Sequence, residues 1–474
     1  MGFPAYPRNW ARREGDPRAK YVGPSGQSSF PRLLRSSEKR DRWYSTPESW
    51  LRGKIRDDNI DKNLWRVHDK LYNLKPFIPH HPGGFEWLKM TQGMDITELV
   101  ENTHVVAVDK VEAILETYYV KDAPHPRNSP YTFEEHGFYK TLKKNIRPVM
   151  KQNGTGPTWG IRLMQDFLVT TVFLLCWLGV TCDSSMIILL AGIALGMSTT
   201  TAHNFLHIRD NWRKYYFDLS LSSHYEWRIE HVFSHHVFPN TALDVEILWL
   251  HPFLEFLSNR KKSQTQRFKP KIYFHLVYAL GFHFVHIFRI VSVFKGEQKL
   301  RVENLLPWVE LLYFLQYTNG GFMLGYWYWC LLHMVCSYWV TATGLNAAHH
   351  HPICFHDGDE PRPNPDYGLC VLDATCVKIE DYSRNLFQIM TTFGDHNLHH
   401  LFPAICISKI HHIKPIVEET VKEFNEQLIY LTQGQLHTGM LDQLARNRPH
   451  SFQYDLEQRQ KTQEQAVWTS KKTL

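Results

Sequence analysis

The chain is poor in the features that would make it a stapled or a nucleic-acid-binding protein. Its eight cysteines (176, 182, 330, 336, 354, 370, 376 and 406) form no Cys-x-x-Cys pair and no regular framework. Several sit inside apolar stretches, so they read as reduced packing residues of a cytosol-facing protein. A net charge of +6 with 21% charged residues gives no case for nucleic acid as a partner. A secretory leader is also missing. Residues 1–44 carry Arg8, Arg12, Arg13, Arg18, Arg32, Arg35 and Arg40 among Pro, Ser and Gly with no apolar core, so this stretch is expected to be a disordered basic tail.

What is abundant points elsewhere. Aromatics reach 14% with 15 Trp, and there are 28 His in 474 residues. Trp and Tyr collect at membrane interfaces, and clustered His suits metal. The length suits two or three units. A polar stretch at 45–122 reads as a small soluble domain, followed by a linker at 123–157 that ends in a Gly-rich hinge. Apolar runs at 166–182 and 186–202, close to the minimum span length, read as one membrane hairpin. Runs at 303–318 and 320–345, joined through Gly320-Gly321, read as a second. The run 271–294 contains His275, His283, His286 and Arg289, a poor lipid-facing pattern, and is expected to lie in the interface as an amphipathic helix. Four spans are an even number, which puts the His clusters on both sides of them in one compartment. A cytosolic tail is expected from 431 to 474. Its end, Lys471-Lys472-Thr473-Leu474, resembles the dilysine retrieval signal of the endoplasmic reticulum, which implies that membrane and two cytosolic termini.

In the first domain stand Phe77-Ile-Pro-His-His-Pro-Gly-Gly84 and Glu101-Asn-Thr-His104. A haem held by two imidazoles needs one His from each side of a pocket, and His-Pro-Gly-Gly makes a tight loop into a helix. With Leu64-Trp-Arg-Val-His-Asp-Lys-Leu-Tyr-Asn-Leu74 upstream, residues 46–122 resemble the cytochrome b5 family. That resemblance implies haem b with His81 and His104 as axial ligands, His80 being the competing neighbour. Between residues 80 and 118 acids outnumber bases, and an acidic rim would steer a basic reductase face.

Three His boxes follow: His203-Asn-Phe-Leu-His207, His231-Val-Phe-Ser-His235-His236 and His396-Asn-Leu-His399-His400. Asn346-Ala-Ala-His349-His350-His351 lies after the last apolar run. So many imidazoles suit transition metals, and one ion cannot use them all. The boxes resemble the HxxxH, HxxxHH and HxxHH motifs of the integral-membrane fatty-acid desaturases over about residues 150–425. Carried over, His203, His207, His231, His235, His236, His396, His399 and His400 are ligands of two non-haem irons. The family's ninth His and its water-mediated Asn point to His350 and Asn346, with His349 and His351 as alternatives.

The resemblance implies an α+β haem domain followed by an all-α membrane domain at 158–430, with four transmembrane helices and a cytosolic helical di-iron cap. It implies an O2-dependent desaturase acting on a CoA- or lipid-linked fatty-acyl chain, with NADH-cytochrome b5 reductase as electron source and the lipid bilayer as its setting. A hydroxylase, or an electron-transfer protein with a degenerate iron site, are the alternatives. Desaturases with an N-terminal cytochrome b5 that act between the carboxyl end and an existing double bond usually begin the third box with Gln; here it is His396. The combined layout resembles the insect cytochrome b5-related proteins.

Overall fold

The structure is a computed structural model that describes residues 28–30, 33, 46–258 and 262–473. The first domain opens with α1 (Pro47–Asp58), capped by the Thr46 hydroxyl accepting from Ser49 N at 3.1 Å, with Pro47 in the first turn. Strands β1 (Trp65–Val67) and β2 (Lys70–Tyr72) form a hairpin. Helices α2 (Phe85–Met90), α3 (Thr97–Thr103) and α4 (Val108–Thr117) follow, and β3 (Tyr119–Asp122) closes an antiparallel sheet of order β1-β2-β3. Its core is built from Trp50, Trp65, Tyr72, Leu88 and Met94.

The second domain is mostly helical. After α5 (Phe138–Asn153), α6 (Trp159–Thr181) and α7 (Ser185–His207) form a hairpin, each capped by a hydroxyl, Thr158 and Ser184. Further along come α8 (Pro270–Phe294), α9 (Leu306–Tyr317) and α10 (Phe322–Leu345). Gly192 and Gly196 let α7 approach α10 closely. A Cβ at Gly192 would lie 2.9 Å from the Leu332 carbonyl oxygen, and one at Gly196 2.5 Å from Trp339 Cβ. This is the small-x-x-x-small contact of helices packed in lipid, where close backbone approach replaces the hydrophobic effect. It aligns the two helices in parallel, so that their C-terminal ends deliver His207 and the segment after Leu345 to the same end of the bundle.

Among the described residues, three helices are long and apolar enough to cross a membrane: α6, α7 and α8. This differs from the expected set. The run 303–318 yields only the 12-residue α9, about 18 Å long against a hydrocarbon core of about 30 Å. The run 271–294 is a 25-residue helix, two of whose polar residues have partners inside the protein: His275 Nδ1 lies 2.7 Å from the Tyr338 hydroxyl, and Arg289 grips the Glu226 carboxylate through two contacts of 2.6 Å.

Two further expectations need correction. Within the segment read as a tail, Phe30 and Leu33 are buried in the core, and the Ser28 hydroxyl donates to Asp357. Apart from Ser29, the other residues of 1–44 lie outside the described residues, as do the side chains of Lys471 and Lys472. The segment 431–474 does not begin as a tail. Tyr430–Leu431 pairs in parallel with Val377–Lys378, and the helix Gln433–Ala445 buries Leu436, Met440 and Leu444.

Part of the acidic rim of the first domain is engaged within the chain, while Glu112 and Glu116 stay exposed. Asp95 and Glu98 pair with Arg127, Glu101 with Lys140 (2.6 Å) and Lys143 (2.7 Å), Asp109 with Arg147, and Glu86 with Lys214 and Arg228. The bases come from the linker and the second domain, so these acids fasten one domain to the other.

Gly196→Ala should therefore destabilise the chain by about 1–3 kcal/mol through overpacking, read as a lower denaturation midpoint in detergent. Gly160→Ala, whose Cβ would meet nothing closer than 3.8 Å, should leave the midpoint where it is.

Candidate metal and haem sites

His81 follows a short 3-10 turn, Lys75–His80, and precedes the Gly83-Gly84 reversal into α2; His104 directly follows α3. The two imidazoles face each other with ring centres 6.3 Å apart. His81 Nδ1 lies 2.8 Å from the Gly84 carbonyl and His104 Nδ1 3.1 Å from the Val100 carbonyl. A carbonyl can only accept, so each Nδ1 carries the proton and each Nε2 keeps its lone pair. Two imidazoles sharing one metal at about 2 Å each would set their ring centres about 6 Å apart, so the pocket fits a bis-imidazole haem. Burial pulls His104 down to about 4 and also lowers His81, which keeps both rings neutral. His80 is exposed.

The His boxes converge in the second domain as two groups. His203 and His207, one turn apart on α7, meet His231, His236 and His399; His235, His396 and His400 meet His349. The second box divides between the groups because Arg228–His235 is a π-helix, with His236 N donating to the His231 carbonyl at 2.8 Å. In an i→i+5 coil, residues five apart stack and the residue four on falls aside. His231 and His236 therefore face one group and His235 the other. In the third box, on α11 (His396–Leu401), His399 joins the first group while His396 and His400 join the second.

The ring nitrogens of both groups converge. His203 Nε2 lies 2.6 Å from His231 Nε2 and 2.9 Å from His207 Nε2, while His349 Nε2 lies 3.0 Å from both His396 and His400 and 3.2 Å from His235 Nε2. Metal–imidazole bonds of about 2.0–2.1 Å place neighbouring nitrogens about 3 Å apart. The Nδ1 atoms show which protons are present. His235 Nδ1 donates to Asp244 at 2.8 Å, His349 Nδ1 donates to the Ala374 carbonyl at 3.1 Å, and His231 Nδ1 contacts Glu246. In the second group, His349 thus turns its Nε2 lone pair toward His235 Nε2 in a buried space, where a proton or a cation can lie between them. Burial holds His231, His236, His349, His396 and His400 well below the usual histidine range. At His235 burial acts the same way, but Asp244 and Glu246 together outweigh it and raise the ring to about 9. Carboxylates behind imidazoles orient the ring and raise ligand basicity, so the donor set fits two metal ions.

The structure corrects the choice of His350. Helix α10 ends at Leu345, and the chain leaves helical geometry at Asn346, so i+4 spacing from Asn346 no longer predicts a shared face. His350 stacks on Phe256 at 3.9 Å, His351 Nδ1 accepts from Ile353 N, and His349 takes the ninth place. Asn346 Nδ2 donates to the Ala342 carbonyl at 2.8 Å. Sequence reasoning missed Asp244 and Glu246. Their signal is the Asp-Val-Glu that starts the helix Val245–Trp249, where Asp244 Oδ1 caps the helix and Oδ2 receives His235.

A narrow cavity opens beside both groups, with His231 and His396 in its wall. The rest of that wall is largely apolar and runs along α8 and α10 through Trp249, Phe282 and Val340. Its one further acid, Glu230 beside Glu246, is held neutral by burial, which raises it well above the carboxylate range.

The family model "Fatty acid desaturase" matches residues 177–432, and "Cytochrome b5-like Heme/Steroid binding domain" matches residues 53–123. The Drosophila melanogaster "Cytochrome b5-related protein" is 34% identical over 414 residues, covering 85% of this chain and 93% of its own. "Acyl-lipid (8-3)-desaturase B" of Dictyostelium discoideum is 24% identical over 77% of this chain and 87% of its own length. "Acyl-lipid (8-3)-desaturase" of Physcomitrium patens is 24% identical over 83% and 90%. No solved structure matches.

Two predictions follow from the geometry. His349→Ala should lose non-haem iron, whereas His350→Ala should keep it, read by metal analysis of purified protein. His81→Ala or His104→Ala should abolish the six-coordinate low-spin haem spectrum, while His80→Ala keeps it.

Proposed function

Because the chain belongs to the fatty acid desaturase family and carries a cytochrome b5-like domain ahead of it, we propose that it inserts a double bond into a fatty-acyl chain, using O2 and electrons delivered through its own haem. The cofactors are haem and two non-haem irons. The observation that carries the proposal is the sorting of nine buried imidazoles into groups of five and four beside an apolar cavity. Iron with O2 supplies the removal of hydrogen from unactivated C–H bonds, which side-chain acids and bases cannot perform.

The remaining work belongs to the protein. His203, His207, His231, His236 and His399 would hold one iron, and His235, His349, His396 and His400 the other. Asp244 and Glu246 hold His235 and His231 in orientation. Trp249, Phe282 and Val340 give an extended acyl chain an apolar wall and exclude water, and Glu230, kept neutral, adds no charge beside it.

The contacts also favour four membrane crossings. Arg301, just before α9, lies 3.5 Å from Glu86 of the haem domain. The α9–α10 turn lies at the opposite end of α10 from the irons. The short α9 therefore carries the chain down and α10 brings it back. Both ends of α8 touch the iron side, Phe274 near Leu345 and Arg289 on Glu226, as in a helix lying in the interface. With four crossings, both termini would lie with the irons, on the cytosolic face if the membrane is that of the endoplasmic reticulum, where a cytochrome b5 reductase would reach the haem.

Since two of the relatives are named acyl-lipid desaturases, lipid-linked chains are the first substrates to assay. Acyl-lipid profiling of cells expressing the chain should show a new double bond that His399→Ala abolishes. A new hydroxyl in its place would assign oxygen insertion. No change in a chain that retains full iron would overturn an oxygen-dependent activity on these lipids.

A further inference from the structure

The π-helix Arg228–His235 has two working faces. Its inner face carries His231 and His235; its outer face, Ile229, Val232 and Phe233, is part of the core cluster of the haem domain. The His-Pro-Gly-Gly loop is joined to the second domain by a backbone hydrogen bond, Asp210 N to the Gly83 carbonyl at 2.9 Å, three residues after His207. Trp87 Nε1 donates to the same carbonyl at 3.1 Å, and the Trp87 ring meets Phe233 edge-on with centroids 5.8 Å apart. Arg228, fully buried, lies 4.5 Å from the Trp87 ring centre and binds Glu86 at 2.8 Å and Asp210 at 2.7 Å.

The other side of the haem pocket has its own bridge. Asn102, two residues before His104, donates to the Tyr367 hydroxyl at 2.9 Å, and that hydroxyl donates to the His236 carbonyl at 3.3 Å. Tyr367 is completely buried.

We infer that Trp87 with Phe233, and Asn102 with Tyr367, form a fixed electron junction between haem and irons, and that the haem domain delivers electrons while docked, without swinging away. This rests on the desaturase reading. Each transfer takes one electron from ferrous haem, leaving it ferric, and reduces one ferric non-haem iron to ferrous. The reductase re-reduces the haem, and O2 is the final oxidant. Tyr367 keeps its proton throughout. Phe233 and Tyr367 act through the ligands they adjoin and are positioning residues. The pairing of Glu86, Asp95, Glu98 and Glu101 with bases of the same chain is what a permanently docked donor requires.

The test uses the full chain loaded with haem and iron, its haem first reduced and then mixed with O2 and acyl substrate in a stopped-flow instrument. In Phe233→Leu and Tyr367→Phe, haem reoxidation should slow several-fold, and further in the double variant. Iron content, haem midpoint potential and reduction of the haem by its reductase should all stay at the parental values. Parental reoxidation in the double variant would overturn the junction. An independent arm tethers the domains with a short bismaleimide between Glu86→Cys and Lys214→Cys in a Cys182→Ser background. The tethered chain should reoxidise its haem at the untethered rate. A haem that stays ferrous after tethering, or a pair that never cross-links, overturns docked delivery. If the unmodified, iron-loaded chain reoxidises its haem no faster than iron-free chain, the failure lies with the desaturase reading and not with the junction.

Discussion

Nine buried imidazoles in two groups, with ring-nitrogen pairs such as His203–His231 and His235–His349 at 2.6 and 3.2 Å, are the constraint on which the rest of the second domain depends. Neutral imidazole offers one donor and one acceptor. His349 Nδ1 donates to the Ala374 carbonyl, so its Nε2 lone pair needs a proton or a cation between it and the nitrogens of His235, His396 and His400. Burying unpaired polar nitrogen costs free energy that packing alone does not return. A cation between the groups would satisfy these nitrogens, which would link the stability of this region to its metal affinity. The parallel contact of α7 with α10 and the π-helix are devices that bring distant boxes to this point.

His81, His104 and eight of the nine clustered histidines were legible in the sequence as candidate ligands because each sits in a short motif whose spacing survives any tertiary arrangement. His81 and His104 flank a haem-sized gap for the same local reasons that made the motif recognisable. The ninth histidine was not legible, since the choice among His349, His350 and His351 depends on where α10 stops. That point is set by packing, and a one-residue change in helix length rotates the next side chain to another face. Asp244 and Glu246 were hidden for a different reason. An acid near a helix start usually caps it, and Asp244 does so with one oxygen while holding His235 with the other.

The membrane segments show the limit of composition. The apolar length of α8 suits a span, whereas the 12 residues of α9 do not, yet the contacts at their ends favour opposite roles. A segment crosses only if its two ends lie on opposite sides, and that is a property of its neighbours. His275 and Arg289 mislead in the same way: on sequence they look solvated, but Tyr338 and Glu226 satisfy them internally.

Fusion changes what the acids of a haem domain are for. In a diffusing donor, an acidic rim raises the rate of encounter with a basic partner. Here encounter is already assured by covalent linkage, and the same charges face Arg127, Lys140, Lys143, Lys214 and Arg228. Buried pairs such as Glu101 with Lys143 are costly to separate, because each partner left alone would be an uncompensated charge. A domain held this way gains a fixed distance to its acceptor and loses freedom to present the same face to a reductase. On the docked-donor proposal, a reductase would approach a side of the haem domain away from the π-helix, so that electrons would enter by one face and leave by another.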